Sequence, residues 1–317
     1  MSYRPAVLAA AAAVLQLAIP SAPARAQAPI VIVTGFGAPS AADIGARLIA
    51  AEFTTSLGRS VVVKSTSGAA GTIATNEVVR ARPDGMTLLF SPVGPLAIQP
   101  SFMRNAGYRL SDLAPICQVN QASLVMMTPV NSGLRTLADV VARAKAERGA
   151  MPYPTTGMGT TPHLSMVQLA RAAGIELTHI TYRGPGDVMV AFQQGSVALM
   201  NDHPSSVKAN GLHAIAVLSA ERLADFPEAP TLRELGHDIV LSIWHGLFAP
   251  AATPPALLAR YDAACAEAVR SPAVQAGHAR IQTPLVYRNQ RDFGEFVAAE
   301  AARFRTIIEA NNLRQTE

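Results

Sequence analysis

The sequence has little with which to perform covalent chemistry. Its 317 residues hold two cysteines, Cys117 and Cys265, and neither stands beside a histidine or at a metal-ligand spacing. The usual thiol-nucleophile and zinc arrangements are therefore missing. No G-x-S-x-G occurs, so the strained nucleophile turn of an α/β-hydrolase is not supported. H-E-x-x-H, the P-loop and a complete G-x-G-x-x-G after the first strand-like run are also lacking. The histidines, at positions 163, 179, 203, 213, 237, 245 and 278, show no metal spacing. Neither a metal nor a cofactor is expected. Lysine and arginine are scattered, without a basic run or interleaved aromatics, which speaks against a nucleic-acid surface. Past the N-terminus no apolar run approaches the roughly 20 residues that span a bilayer. No internal repeat is visible.

What is present begins with an export signal. Arg4 precedes an apolar stretch from Ala6 to Ile19, Pro20 and Pro23 break it, and Ala24-Arg25-Ala26 fits the small-x-small rule of signal peptidase. Residues 1–26 read as a signal peptide cut before Gln27, and the mature protein as periplasmic. Removing 26 of 317 residues leaves 291, enough for two domains. Loss of Arg4 and Arg25 lowers the formal charge from +4 to +2, a mild bias that suits a small anion. An exported chain can pair its cysteines. Cys117, in the strand-like run Leu113–Val119, and Cys265, in an amphipathic helix, are nevertheless read as free buried thiols.

Short apolar runs alternate with helical patterns, the mark of α/β architecture. Strands are expected over 29–34, 60–64, 86–90, 113–119 and 123–127, with helices over 40–57 and 71–81. The pattern then restarts: helices over 137–148, 161–173 and 185–194, strands over 152–155, 177–182, 197–201 and 213–218. A strand over 244–249 and two helices, 253–270 and 291–311, close the chain. The restart near Met127 and the late helices imply that the chain crosses to a second domain and returns. The expected division is 27–126 plus 246–317 for domain 1 and 127–245 for domain 2. The result is a two-domain clamshell with mixed, mostly parallel sheets and a hinge crossed twice, its cleft at the C-terminal ends of the strands.

Three strand-to-helix loops carry small polar residues. In Thr34–Asp43, the candidates are Phe36, Gly37, Ser40 and Asp43. Helix N-termini attract anions, but Ser40-x-x-Asp43 is also a capping box, which alone accounts for both residues. In Thr155–His163, the candidates are Thr156, Gly157, Gly159, Thr160 and His163. The glycines allow close backbone approach, Pro162 suits a first helical turn, and His163 equally suits a structural role. The third loop, Ser65–Thr72, supplies Ser67. Ser91, just after a strand, and Arg183, in Tyr182-Arg183-Gly184, join the set. Asp202 ends a strand, where it can meet an ammonium or hydroxyl or cap the helix that begins near Pro204.

These residues, taken in order, resemble the receptors of tripartite tricarboxylate transporters, the Bug-type solute-binding proteins. Gly68-Ala69-Ala70-Gly71-Thr72, Arg82-Pro83-Asp84-Gly85-Met86-Thr87-Leu88 and Gly157-x-Gly159-Thr160-x-x-His163-Leu164 carry the resemblance. Tyr182-Arg183-Gly184, Pro230-Thr231, Glu234-x-Gly236, Trp244-x-Gly246 and Ala249-Pro250-x-x-Thr253-Pro254 extend it, so that it runs from about Ile30 to Leu313. The resemblance implies a type II periplasmic binding protein, a carboxylate ligand (a di- or tricarboxylate, an acidic amino acid, nicotinate or an aromatic acid) pinched between loops matching 36–43 and 156–163, and a membrane permease as partner; the receptor is expected to be a monomer. Pro39-Ser40 stands where the family has Gly-Gly, which removes one backbone donor and stiffens the loop. A ligand-presenting sensor subunit is the second reading, and a secreted enzyme the remote third.

Overall fold

A computed structural model describes residues 28–38 and 40–315; the leader, its expected cut before Gln27, and Pro39 lie outside the described residues. Strand β1 (Ile30–Thr34), helix α1 (Ala41–Leu57), β2 (Val61–Ser65), α2 (Thr72–Val79) and β3 (Thr87–Pro92) open the chain. A short α3 (Gln99–Phe102), the long β4 (Leu113–Ser123) and β5 (Val125–Thr128) follow. Next come α4 (Leu137–Glu147), β6 (Pro152–Thr155), α5 (Thr161–Ala173), β7 (Thr178–Thr181) and α6 (Pro185–Gln193). Then β8 (Met200–Asp202), α7 (Pro204–Ala209), β9 (His213–Val217) and β10 (Ser242–Pro250) lead to α8 (Pro255–Ala268), α9 (Pro272–Arg280), β11 (Leu285–Arg288) and α10 (Gln290–Ala310).

The strands form a six-stranded sheet of order β11-β4-β10-β3-β1-β2, a three-stranded sheet β8-β5-β9 and a pair β6-β7. The sheets are mixed, as expected, but antiparallel pairing weighs more than expected. Among the strands of the described residues, only β1-β2, β1-β3 and β6-β7 pair in parallel; β10 is laid against both β3 and β4 in the opposite direction. The chain leaves the large sheet after β4 and re-enters it with β10. At that crossing three segments are bonded to one another. Leu124 N donates to Leu241 O (3.2 Å), Leu218 N to Leu124 O (2.9 Å) and Leu241 N to Leu218 O (2.9 Å).

Local chemistry explains the elements. The β1 run Ile-Val-Ile-Val-Thr is β-branched and almost wholly buried, as an interior parallel strand requires. Helix α1 starts at its cap Ser40, stops at the left-handed Gly58, and buries Ala46, Ile49, Ala50 and Phe53 on one face. Helix α10 buries Phe293, Val297, Phe304 and Ile308 in the same manner. The expected helix 253–270 starts later, at Pro255; α9 and β11 have no counterpart among the expected elements. Strand β11 shows little period-2 pattern, and it exists by pairing at the sheet edge with β4.

One expectation is overturned. Cys117, in β4, and Cys265, in α8, form a disulfide, with Cα atoms 6.6 Å apart. Both belong to one buried cluster with Ile116, Leu258 and Tyr261. The two cysteines are 148 residues apart, and only the packing of α8 on β4 brings them together.

Gly246 in β10 faces the other side of the large sheet, where Phe293 of α10 packs. A Cβ there would meet the Phe293 ring and lie 2.6 Å from the Cys117 carbonyl oxygen. Gly246→Ala is expected to cost about 1–3 kcal/mol by overpacking. In urea denaturation this lowers the midpoint and leaves the m-value unchanged. An unaltered midpoint would mean that β4 and α10 yield freely at this point.

Candidate functional site

A cavity of about 270 Å3 opens at the ends of strands: Pro92, Thr155 and Asp202, the last residues of β3, β6 and β8, all line it. Four helix beginnings also line it, through Ser40–Ala42 of α1, Thr160–Pro162 of α5, Pro185 of α6 and Ser205–Ser206 of α7. The first N–H groups of a helix have no intrahelical acceptor and carry the positive end of its dipole. The strand-to-helix loops thus direct several such ends at one space.

Two of these beginnings are shaped by hydroxyls. Ser40 Oγ accepts from Asp43 N at 3.1 Å and donates to Phe36 O at 3.3 Å. Thr160 Oγ1 accepts from His163 N at 3.4 Å and donates to Gly157 O at 2.8 Å. Each side chain both caps its helix and folds the preceding loop. The expected reciprocal half of the first capping box is replaced, because the buried Asp43 carboxylate takes Arg47 Nε at 2.8 Å and Nη2 at 3.0 Å.

A second, outer chamber of about 660 Å3 is lined by Gly37, Ser67, Gly157 and the exposed Arg183. Phe36, Ala70, Thr156 and Pro185 line both spaces and so stand between them. Of the candidate residues, Phe36, Ser40, Thr156, Thr160 and Asp202 line the inner cavity. Phe36, Gly37, Ser67, Thr156, Gly157 and Arg183 line the outer one. Asp43, Ser91, Gly159 and His163 line neither.

Those four support the walls. Ser91 is buried in β3 and donates to the Pro92 carbonyl at 3.1 Å. Gly159 has φ +68°, and a Cβ there would lie 2.8 Å from both Gln99 Nε2 and the Phe102 ring. His163 accepts from Gly159 N at 3.3 Å through Nδ1 and packs edge-on to Phe102 and tilted on His179. Gln99 Nε2 donates to Met158 O at 2.8 Å. The loop between β6 and α5 therefore rests on α3, a helix that sequence periodicity did not reveal.

The electrostatics of the inner cavity are unusual. Among the described residues, no lysine or arginine lines it. His203 and His245 do, but burial pushes them down to about 4 and about 3, so both are neutral near pH 7. His203 caps α7, its Nδ1 accepting from Ser205 N at 3.4 Å. His245 Nδ1 lies 2.8 Å from Asn120 Oδ1. Burial raises the Asp202 carboxyl above the usual carboxylate range. The sequence reading passed over His203 and His245, although His203-Pro204-Ser205-Ser206 repeats the polar strand-to-helix signal of the other loops.

Residues 45–313 match the profile of the tripartite tricarboxylate transporter family receptor. Protein BugT of Bordetella pertussis is 32% identical over 294 residues, covering 90% of this chain and 89% of that protein. The periplasmic binding protein BugD superposes with a TM-score of 0.84 at 25% identity, over 90% of this chain and 98% of that one. MatC of Rhodopseudomonas palustris, whose structure holds malate, superposes with a TM-score of 0.83 at 23% identity, over 88% and 98%. The match spans both the large sheet and the smaller sheets that enclose the cavity, and the chain belongs to the tripartite tricarboxylate transporter receptor family.

Proposed function

We propose that this chain is a periplasmic solute-binding receptor, not an enzyme, that holds a small organic carboxylate in the inner cavity and hands it to a membrane permease. The observation that carries the reading is the convergence of four helix beginnings on a cavity without a lysine or arginine among its described lining residues. An anion there is held by dipoles, backbone N–H groups and hydroxyl-shaped loops. Malate in MatC supports the ligand class, and the Cys117–Cys265 bond suits an oxidising compartment. The lobes divide at the crossing of the chain between the sheets, one carrying β1–β4 with β10–α10 and the other β5–β9. The bonded crossing at Leu124, Leu218 and Leu241 serves as their hinge.

The test is titration calorimetry with the tightest carboxylate found in a thermal-shift panel, on Ser40→Ala, Thr160→Ala and Arg183→Ala. Loss of either cap rearranges donors that face the anion. A hydrogen bond to a charged group contributes about 1.5–3 kcal/mol, so each cap variant is expected to bind roughly ten- to a hundredfold more weakly. Arg183→Ala, altering only the outer chamber, is expected to change affinity less. Abolished binding in Arg183→Ala with unchanged binding in the cap variants would replace the dipole cradle by an ion pair.

A further inference from the structure

Three buried imidazoles meet at the inner cavity, and their hydrogen bonds fix where the protons lie. His203, at the start of α7, and His245, in β10, line the cavity; His278, in α9, lies close to both. Thr283 Oγ1 donates to Ile281 O at 3.1 Å, so toward His203 Nε2, also at 3.1 Å, it accepts. The His203 proton is therefore on Nε2, and Nδ1 accepts from Ser205 N at 3.4 Å. His278 Nδ1 is 3.2 Å from the Thr283 carbonyl, which can only accept, so its proton is on Nδ1. His278 Nε2 is left sealed and without a partner.

His245 differs from both. It is 3% exposed, and it stacks on Phe90 with ring centroids 5.6 Å apart. Its Nδ1 meets Asn120, its cross-strand partner in β4. Its Nε2 has no partner among the described residues and, unlike His278 Nε2, is not sealed off. Of the three rings, this one alone keeps a nitrogen open on the cavity it lines.

Whether that nitrogen donates or accepts is decided by Asn120. Burial keeps the ring neutral near pH 7, so one nitrogen holds a proton and the other a lone pair. With the Asn120 oxygen toward the ring, at 2.8 Å, the proton is on Nδ1, and Asn120 Nδ2 is buried without an acceptor. Half a turn of the amide puts Nδ2 on Nδ1 instead and leaves the oxygen as the orphan. A buried N–H without an acceptor is the rarer and costlier orphan. The turned amide places the His245 proton on Nε2, as a donor toward the cavity.

We infer that His245 is a ligand-binding residue, its imidazole donating Nε2–H to the bound carboxylate, and that Asn120 is a positioning residue that holds this tautomer by donating to Nδ1. The inference rests on the carboxylate reading and deepens it. His245 belongs to neither of the loops 36–43 and 156–163. It stands on the strand that returns to the large sheet, so the anion gains a side-chain donor from outside the two loops.

The test uses the mature protein and whichever of succinate, malate, glutamate, nicotinate and benzoate raises its melting temperature most. His245→Phe keeps a ring against Phe90 but has no N–H. By calorimetry it is expected to bind that acid roughly ten- to a hundredfold more weakly than the native protein. His245→Gln, whose amide nitrogen reaches the place of Nε2, should recover most of the loss. Long-range proton–nitrogen spectra of protein with isotope-labelled histidines read the tautomer itself. The His245 proton is expected on Nε2 in the complex, and distributed over both nitrogens in Asn120→Leu. Native affinity in His245→Phe, or a proton on Nδ1 in the complex, would overturn the inference and leave the carboxylate reading standing. An unchanged tautomer in Asn120→Leu would overturn the part given to Asn120. If none of the acids binds, the carboxylate reading fails, and this inference with it. Should circular dichroism show that His245→Phe does not fold, the tautomer in the native complex decides.

Discussion

Replacing both Cys117 and Cys265 by alanine is expected to lower the unfolding free energy by about 5 kcal/mol. The bond closes a loop of 148 residues. In the chain-entropy description, closure of loops above 100 residues restricts the unfolded state by about 5 kcal/mol at 25 °C. Both side chains are fully buried, so the double alanine variant also loses apolar contact between β4 and α8. Such a loss is a large part of the roughly 5–15 kcal/mol available to a typical domain. Equilibrium urea unfolding of the native protein, oxidised and reduced, and of the double variant is the check. The reduced protein and the variant should share a lowered midpoint. Equal midpoints for all three would deny the bond a role in stability.

Acidification is expected to destabilise the protein steeply between about pH 6.5 and pH 4. Burial holds His163 and His203 down to about 4 and His245 to about 3, with neighbouring histidines adding to the depression. In the unfolded chain these imidazoles titrate near 6.5. Above that pH they are neutral in both states and cost nothing. Below it the unfolded chain binds protons that the folded chain refuses, so stability falls as pH falls. Each such group removes about 1.4 kcal/mol per pH unit until its folded value is reached, or on the order of 2 kcal/mol by pH 5. His278, packed near the same site and also held down by burial, adds to the trend. Chemical denaturation at pH 7, 6 and 5 should show a falling midpoint, less steep in His245→Gln. Constant stability from pH 7 to pH 5 would mean that these imidazoles are not held neutral by the fold.

The parts of the molecule legible in the sequence are those set by local chemistry. The β1 run, the Ser40 cap with its Gly58 stop, and Thr160 ahead of Pro162 each announce themselves within a few residues, and the structure contains them. The strand-to-helix loops that line the cavity were visible for the same reason. What stayed hidden depends on partners far along the chain. Strand β11 has no pattern of its own beyond its edge pairing with β4. The disulfide needs α8 laid on β4. Asp43 turns to Arg47, a choice between two short-range partners that the capping pattern does not decide. His245 enters the cavity because β10 returns through the large sheet, and Gln99 props the loop before α5 because α3 packs beneath it. The charge balance of the cavity was hidden as well: it follows from which side chains converge, not from a run of like charges.

The central claim is that the inner cavity holds a small organic acid. Native mass spectrometry of the mature protein, released gently from the periplasm and then denatured to free its cargo, tests it most directly. The account predicts one small molecule per chain, bearing at least one carboxylate, whose affinity falls in Thr160→Ala when it is added back. A neutral sugar, a metal ion or an inorganic anion as the stoichiometric cargo, bound as tightly by Thr160→Ala as by the native protein, would contradict it.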